Sequence, residues 1–238
     1  MDDPRGRCVG DRYLSWHRST VRARFLAFGD PRSDERLIAG EGFDESRKGD
    51  LFVVDQFGAA VRELVAKQEI TEVLYRIARG TDRGDIELYA SGFHDDGLDY
   101  HGLANGPVRH ILANLAQSPL LLTQHSISNV LIDISGDRAR VESYFTSFHQ
   151  SRDSGDRLLD ETVRGRYLDR FERREGVWKI TRRVVVWDWS RVEPSGESWF
   201  DRMRRRPGVD DKFIFGRRDR QDMVYTDELP FDVDKNES

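Results

Sequence analysis

The hydrophobic period of this chain changes once, and that change constrains its fold more than any other feature. Between residue 55 and about residue 117 apolar side chains recur at spacings of three and four; from Gln124 they alternate at two. Phe57, Val61, Leu64, Val65, Val73, Leu74 and Ile77 mark one face of a long helix that Asp55 is placed to cap and Gly84 to end. A short helix over residues 85–93, a short strand over 97–102 and a third helix, opened by Pro107 and ending near Gln117, follow. The segments QHSISNVLIDIS, ARVESYFTSFHQ, ETVRGRYLDRFERR and VWKITRRVVVWDW then alternate, separated by the turns SGDR, RDSGDR and REG. Short Gly-containing turns can only join antiparallel neighbours. Helices first and sheet second predicts an α+β domain over residues 55–190, with helices on one face of a curved antiparallel sheet.

Outside that domain the composition changes. Residues 1–54 mix Arg, Asp and Gly with scattered aromatics and read as a partly irregular arm. Residues 191–238 are charged and turn-rich, but Trp199, Phe213, Phe215 and Tyr225 need somewhere to bury, so this extension is expected to pack on the domain or on a neighbouring subunit. With 38 Lys and Arg against 43 Asp and Glu, the net charge of −5 argues against a nucleic-acid binder. A single cysteine, Cys8, excludes an internal disulfide and a Cys-based zinc site. No apolar run approaches the roughly 18 residues of a membrane span, and the first residues have no apolar signal core. The expectation is a soluble, cytoplasmic protein with no membrane partner.

Four local signatures, ARGTDRGD, FHDDGLDYHG, TQHSISNVLID and FERREGVWKITRR, occur in that order over residues 65–189. In this arrangement the chain resembles the NTF2-like superfamily, and within it the SnoaL-like clade. The resemblance implies a cone with a deep apolar pocket between helices and sheet. It also implies chemistry without metal or organic cofactor, of the kind found in the clade's scytalone dehydratases, hexachlorocyclohexane dehydrochlorinases, bile-acid dehydratases and formaldehyde-releasing diarylpropane lyases. By motif position it puts an Asp–His pair at Asp82 and His125, a strand tyrosine at Tyr100 and a late-strand arginine at Arg183. Thr81 and Ile77 stand where relatives carry tyrosines. Homodimers or homotrimers, formed through the outer sheet face, are implied as well.

The residue chemistry agrees with that layout. A histidine acting as base needs a fixed tautomer, which a carboxylate on one ring nitrogen supplies while the other nitrogen faces substrate. Alternation puts His125, Ile127, Asn129 and Leu131 on one strand face, so Asn129 is a candidate for binding a substrate oxygen. Arg183, Val185 and Trp187 share a face on the last strand, opposite Trp178, Ile180 and Val184, and Arg183 could polarise a leaving group. Tyr75 lies nearly two helical turns before Asp82 and is a candidate for lining the pocket. Each residue has a plain alternative: Asp82 ion-paired to Arg79 or Arg83, His125 a satisfied strand histidine, Arg183 exposed, Tyr100 and Tyr75 packed in a core. His94, Asp95, Asp96, Asp99 and His101 have ligand chemistry but no familiar metal spacing, so no metal site is assigned.

These readings predict a cofactor-independent lyase for a hydrophobic, aromatic small molecule, with His125 as base, Asp82 orienting it, and Tyr100 or Arg183 assisting departure of water, formaldehyde or halide. An isomerase or cyclase of the steroid-isomerase or SnoaL type shares the base. A non-catalytic NTF2-like module would instead have a filled pocket, or Asp82 and His125 out of contact.

Overall fold

Helix formation starts upstream of the expected cap. The computed structural model describes residues 45–209 and 213–226, with side chains from residue 55 onward except that of Arg204. The first helix, α1, runs Glu45–Arg83 and carries Asp55 in its interior. Glu45, Arg47 and Lys48 are ordinary helix formers, so a helix already propagating has nothing to stop it at Asp55. Expectations for residues 1–44, Cys8 among them, lie outside the described residues. Burial along α1 also begins later than its periodicity. Phe57, Val61, Leu64 and Val65 are exposed, whereas Ala66, Ile70, Val73, Leu74, Ile77 and Ala78 are buried. Gly84, at φ +62°, ends the helix in the left-handed conformation that favours glycine.

Asp85 caps α2 (Ile86–Ala90) by accepting from the Leu88 amide. β1 (Phe93–His101) is longer than expected and forms a hairpin with β2 (Ala104–Pro107), an edge strand too short for alternation to reveal. Pro107 N-caps α3 (Val108–Ala116). The meander follows as β3 (Leu122–Ser135), β4 (Arg138–Arg152), β5 (Leu158–Arg174) and β6 (Val177–Pro194). The six strands are ordered β2-β1-β6-β5-β4-β3. β1 joins β6 in parallel, so the curved sheet is mixed where a purely antiparallel one was expected. Turn chemistry fixes direction only between strands that a tight turn connects, and β1 reaches β6 through α3 and the whole meander.

α1 packs on β3 and β6, and α3 on β1 and β2. The core between these layers includes Ile70, Leu74, Phe93, Phe171, Trp178 and Ile180. Fully burying one such large side chain contributes about 1.5–3 kcal/mol.

Register shifts change which residues face that core. On β3 the pairing with β4 slips between Ser128 and Leu131, with Asn129 at φ 47°. His125 and Ile127 are therefore followed on the covered side by Val130, Ile132 and Ile134, while Leu131 is exposed. On β6 the slip opposite Arg170 and Phe171 leaves Thr181 as the extra residue. Trp178 and Ile180 thus face the covered side together with Arg183 and Val185, correcting the expectation that they point opposite ways. An extra residue in one strand bends and twists the sheet locally.

A third slip falls between Arg164 and Gly165, where the sheet leaves no room for a side chain. A Cβ on Gly165 would lie 2.2 Å from the Val186 carbonyl oxygen and 2.8 Å from the Phe145 ring. Gly165→Ala is therefore expected to lower stability by about 1–3 kcal/mol, read as a fall in urea midpoint without a change in slope.

Beyond β6, Ser198 and Asp201 form a capping box at the start of α4 (Trp199–Arg204). Trp199, Phe200, Phe213 and Phe215 form an edge-to-face cluster. The segment around the short 3-10 helix Met223–Tyr225 then returns to the α1–α2 junction. There Tyr225 donates to Asp85 at 2.7 Å, Arg220 pairs with Asp85 at 3.0 Å, and Asp222 lies 3.3 Å from Arg83. Burial works to raise the pKa of Asp85, but the Leu88 amide, Tyr225 and Arg220 together hold it below its ordinary value. Among the described residues no helix is long and apolar enough to cross a membrane.

Candidate active site

The inner helix stripe and the concave side of the sheet do not meet everywhere. They leave a cavity of about 220 Å³ whose apolar wall includes Leu74, Ile77 and Ala78 of α1, Ile111 and Leu115 of α3, and Ile127 of β3. Into this wall the last turn of α1 and the start of β3 bring two polar groups together. Asp82 Oδ1 lies 2.6 Å from His125 Nδ1, and Asp82 Oδ2 accepts the His125 backbone N–H at 2.9 Å. Both side chains are about nine-tenths buried, and the His125 ring lines the cavity. Asp82 thus accepts twice from one residue, fixing both ring orientation and tautomer: Nδ1–H donates to the carboxylate and Nε2 is left for the cavity.

Arg183 also lines the cavity and is 3% exposed. Its Nε and Nη2 donate to the two carboxylate oxygens of Asp169, each at 2.8 Å, and its guanidinium lies 4.1 Å from the Tyr167 ring centroid. Burial opposes both charges of this pair. The Asp169 carboxylate outweighs that opposition at Arg183 and keeps it charged. Asp169 follows from β5 alternation, in which Val163, Gly165, Tyr167, Asp169 and Phe171 point inward; a carboxylate in an inward row requires a partner.

The remaining candidates lie elsewhere. Tyr100 is 56% exposed, because the inward residues of β1 are Asp99 and His101, one position to either side. Tyr75 is 51% exposed on the flank of α1, away from the stripe of Leu74, Ile77, Ala78 and Thr81 that lines the cavity. Asn129 is carried to the exposed side by the β3 bulge. Trp187 is half exposed and sits behind the cavity wall, its ring 5.5 Å from that of His101 and 6.0 Å from that of Phe145.

The acidic run on β1 is dispersed. His94 Nε2 lies 3.0 Å from the Glu172 carbonyl oxygen, Asp96 holds Arg174 through two bonds, and buried Asp99 accepts from Tyr89 at 2.9 Å. Among the described residues no group of three His, Cys, Asp or Glu side chains could hold a metal ion. Burial, and then the neighbouring Asp99 carboxylate, push the Tyr89 phenol well above its ordinary pKa, so it remains a donor.

His149 of β4 packs its ring 5.5 Å from that of His125, a contact that follows only from pairing β3 with β4. Burial, and behind it the His125 ring, push its pKa down to about 4, against the opposite pull of Asp82. Its 3.7 Å approach to Glu161 is therefore a long polar contact at neutral pH rather than an ion pair. An unfolded chain takes up this proton near pH 6.5 and the folded chain only near pH 4, so stability is lost as pH falls through that window. The melting temperature is expected to fall from pH 7 to pH 5, and to fall less in His149→Gln.

A family model described as SnoaL-like domain matches residues 62–184. Among solved structures, a hexachlorocyclohexane dehydrochlorinase (LinA) Type2 shares 21% identity with a TM-score of 0.50, covering 63% of this chain and 99% of that one. LinA itself shares 18% identity at TM-score 0.50, over 58% and 95% of the two chains. A candidate scytalone dehydratase from Novosphingobium aromaticivorans DSM 12444 shares 22% identity at TM-score 0.49, over 57% and 97%. At these identities the likeness is one of fold. No curated protein matches the chain.

Proposed function

We propose that this chain, which belongs to the SnoaL-like domain family, is a cofactor-independent lyase acting on a compact hydrophobic, aromatic small molecule. One observation carries the proposal: the 2.6 Å Asp82–His125 contact in the wall of a mainly apolar cavity. His125 Nε2 removes the substrate proton and Asp82 stabilises the imidazolium that forms. In an elimination, the electrons of the broken C–H bond form the new double bond while water or halide leaves with its own bonding pair. For formaldehyde release the proton comes instead from a hydroxymethyl O–H: the oxygen electrons form the C=O bond of formaldehyde, the electrons of the broken C–C bond form the new C=C bond, and a hydroxyl on the adjacent carbon leaves, taking up a proton to become water. His101 and Arg183 supply the polar wall near the leaving group.

The cavity volume supports a compact substrate, since about 220 Å³ lies below the roughly 300–1,000 Å³ of pockets for drug-sized ligands. That size counts against a steroid-type isomerase substrate, and an open cavity counts against a filled, non-catalytic module. On the same reading the chain assembles as a homodimer or homotrimer through the outer sheet face, where Tyr144, Val184 and Trp189 are exposed. The test is turnover of a panel of aromatic alcohols and halides, in the presence of EDTA, by the wild type, His125→Ala and Asp82→Asn. Turnover lost on chelation, or kept by both variants, would reject the proposal.

A further inference from the structure

The SnoaL-like match ends at residue 184, yet the cavity has a wall residue supplied from beyond it: Arg218, in the segment that returns to the end of α1. Its arginine neighbours are paired. Arg217 holds Asp219 through Nε and Nη2 at 3.1 and 2.8 Å, and Arg220 reaches Asp85 and Glu87 at 3.0 and 3.3 Å. Arg218 differs, because its Nε and Nη2 are buried with no hydrogen-bond partner among the described residues. Asp82, the carboxylate whose charge acts on it, already has both oxygens engaged by His125, at 2.6 and 2.9 Å. The backbone beside Arg218 is fixed, since the Arg217 amide donates to Asp222 at 2.7 Å and Asp222 lies against Arg83.

Arg218 as a whole is only partly buried, but its buried Nε and Nη2 donors are unfavourable unless something fills them. The two unmet nitrogens define the complementary group. Nε and Nη2 form the side-on fork that takes the two oxygens of a carboxylate in parallel. Arg183 uses the same two atoms on Asp169 in the wall of the same cavity, so the protein already contains the arrangement in its completed form. We infer that Arg218 is a specificity-determining residue that binds the carboxylate of a hydrophobic acid entering the cavity. This rests on the cavity being the substrate site proposed above, and it narrows the substrate to a small aromatic acid. Partial burial lowers the pKa of Arg218 and Asp82 acts the other way.

The experiment is calorimetric titration of the full chain with benzoate, phenylacetate and 3-phenylpropionate, each beside its neutral amide, at pH 7 and moderate salt. At least one acid is expected to bind roughly tenfold to a hundredfold more tightly than its amide, as for hydrogen bonds to a charged group. Arg218→Gln should remove that preference, and Arg218→Lys should keep part of it. Unliganded Arg218→Gln should melt no lower than the wild type, because no described residue hydrogen-bonds its Nε or Nη2; a residue with a merely structural role would show a loss. No binding, equal binding of acid and amide, or a preference that survives in Arg218→Gln overturns the inference. Should Arg218→Gln fail to fold, the acid-over-amide ratio in Arg218→Lys decides: an unchanged ratio overturns the inference and a reduced one supports it. Turnover is not the readout, so loss of the lyase proposal through His125→Ala and loss of this one through Arg218→Gln are separate results.

Discussion

His125→Ala is expected to lower turnover by about two to four decades, the usual contribution of a general base. Asp82→Asn tests the partner more sharply, because it keeps shape and removes charge. Asp82 contributes in two ways in this structure. One oxygen accepts from Nδ1 and so leaves Nε2 as the basic nitrogen; the other accepts the His125 backbone N–H and holds the strand start against the helix end. An amide at this position must turn its NH₂ group toward one of two donors. Either the tautomer or the backbone contact is then lost, and the imidazolium loses its counter-charge in a cavity where apolar walls strengthen such interactions. The loss should fall mainly on kcat, with KM changing less, since the charge develops in the transition state. The double variant should be little slower than His125→Ala alone, because two groups acting as one unit do not contribute additively. Two folded variants that each retain near wild-type turnover would make the pair structural, with folding checked by circular dichroism.

That pair was legible through the resemblance, which names Asp82 and His125 by motif position; the residues alone left each with a plain alternative. The structure brings the two into contact because Asp82 stands at a helix end and His125 near a strand start, with no irregularity between either residue and its element boundary. The misplaced candidates lie where alternation is broken or stretched. Asn129 sits in the β3 bulge, and Thr181 shifts every later residue of β6 by one relative to Trp178 and Ile180. Period-two counting cannot register an inserted residue, because a bulge is set by packing against the neighbouring strand and not by its own side chain. Tyr100 failed by a single position, since the FHDDGLDYHG segment has no clear period and its register is set by the bridge to β6. Asp169 could have been read from its inward row, and was missed because the arginine it satisfies is on another strand. Arg218 gave no signal, lying in a charged tail where any arginine is unremarkable until the chain folds back on Gly84.

Asp169→Ala should be the most damaging single change to stability, at about 3–5 kcal/mol, a large part of the roughly 5–15 kcal/mol that holds a domain together. Asp169 is fully buried and Arg183 is 3% exposed. Removing the carboxylate leaves a guanidinium that is largely shielded from water and cannot lose its proton. The converse change is expected to be milder. In Arg183→Met the orphaned Asp169 can take up a proton, and burial already favours its neutral form. Arg183→Met should therefore cost less near pH 5 than near pH 8, because its folded state binds a proton that the unfolded carboxylate lacks, so its stability rises as pH falls. Combining Asp169→Leu with Arg183→Met should recover much of the loss, since apolar residues of similar volume often replace a buried ion pair at little cost. Urea unfolding of the three variants measures this directly. Asp169→Ala within about 1 kcal/mol of the wild type would show that water reaches Arg183 and that the pair is not sealed.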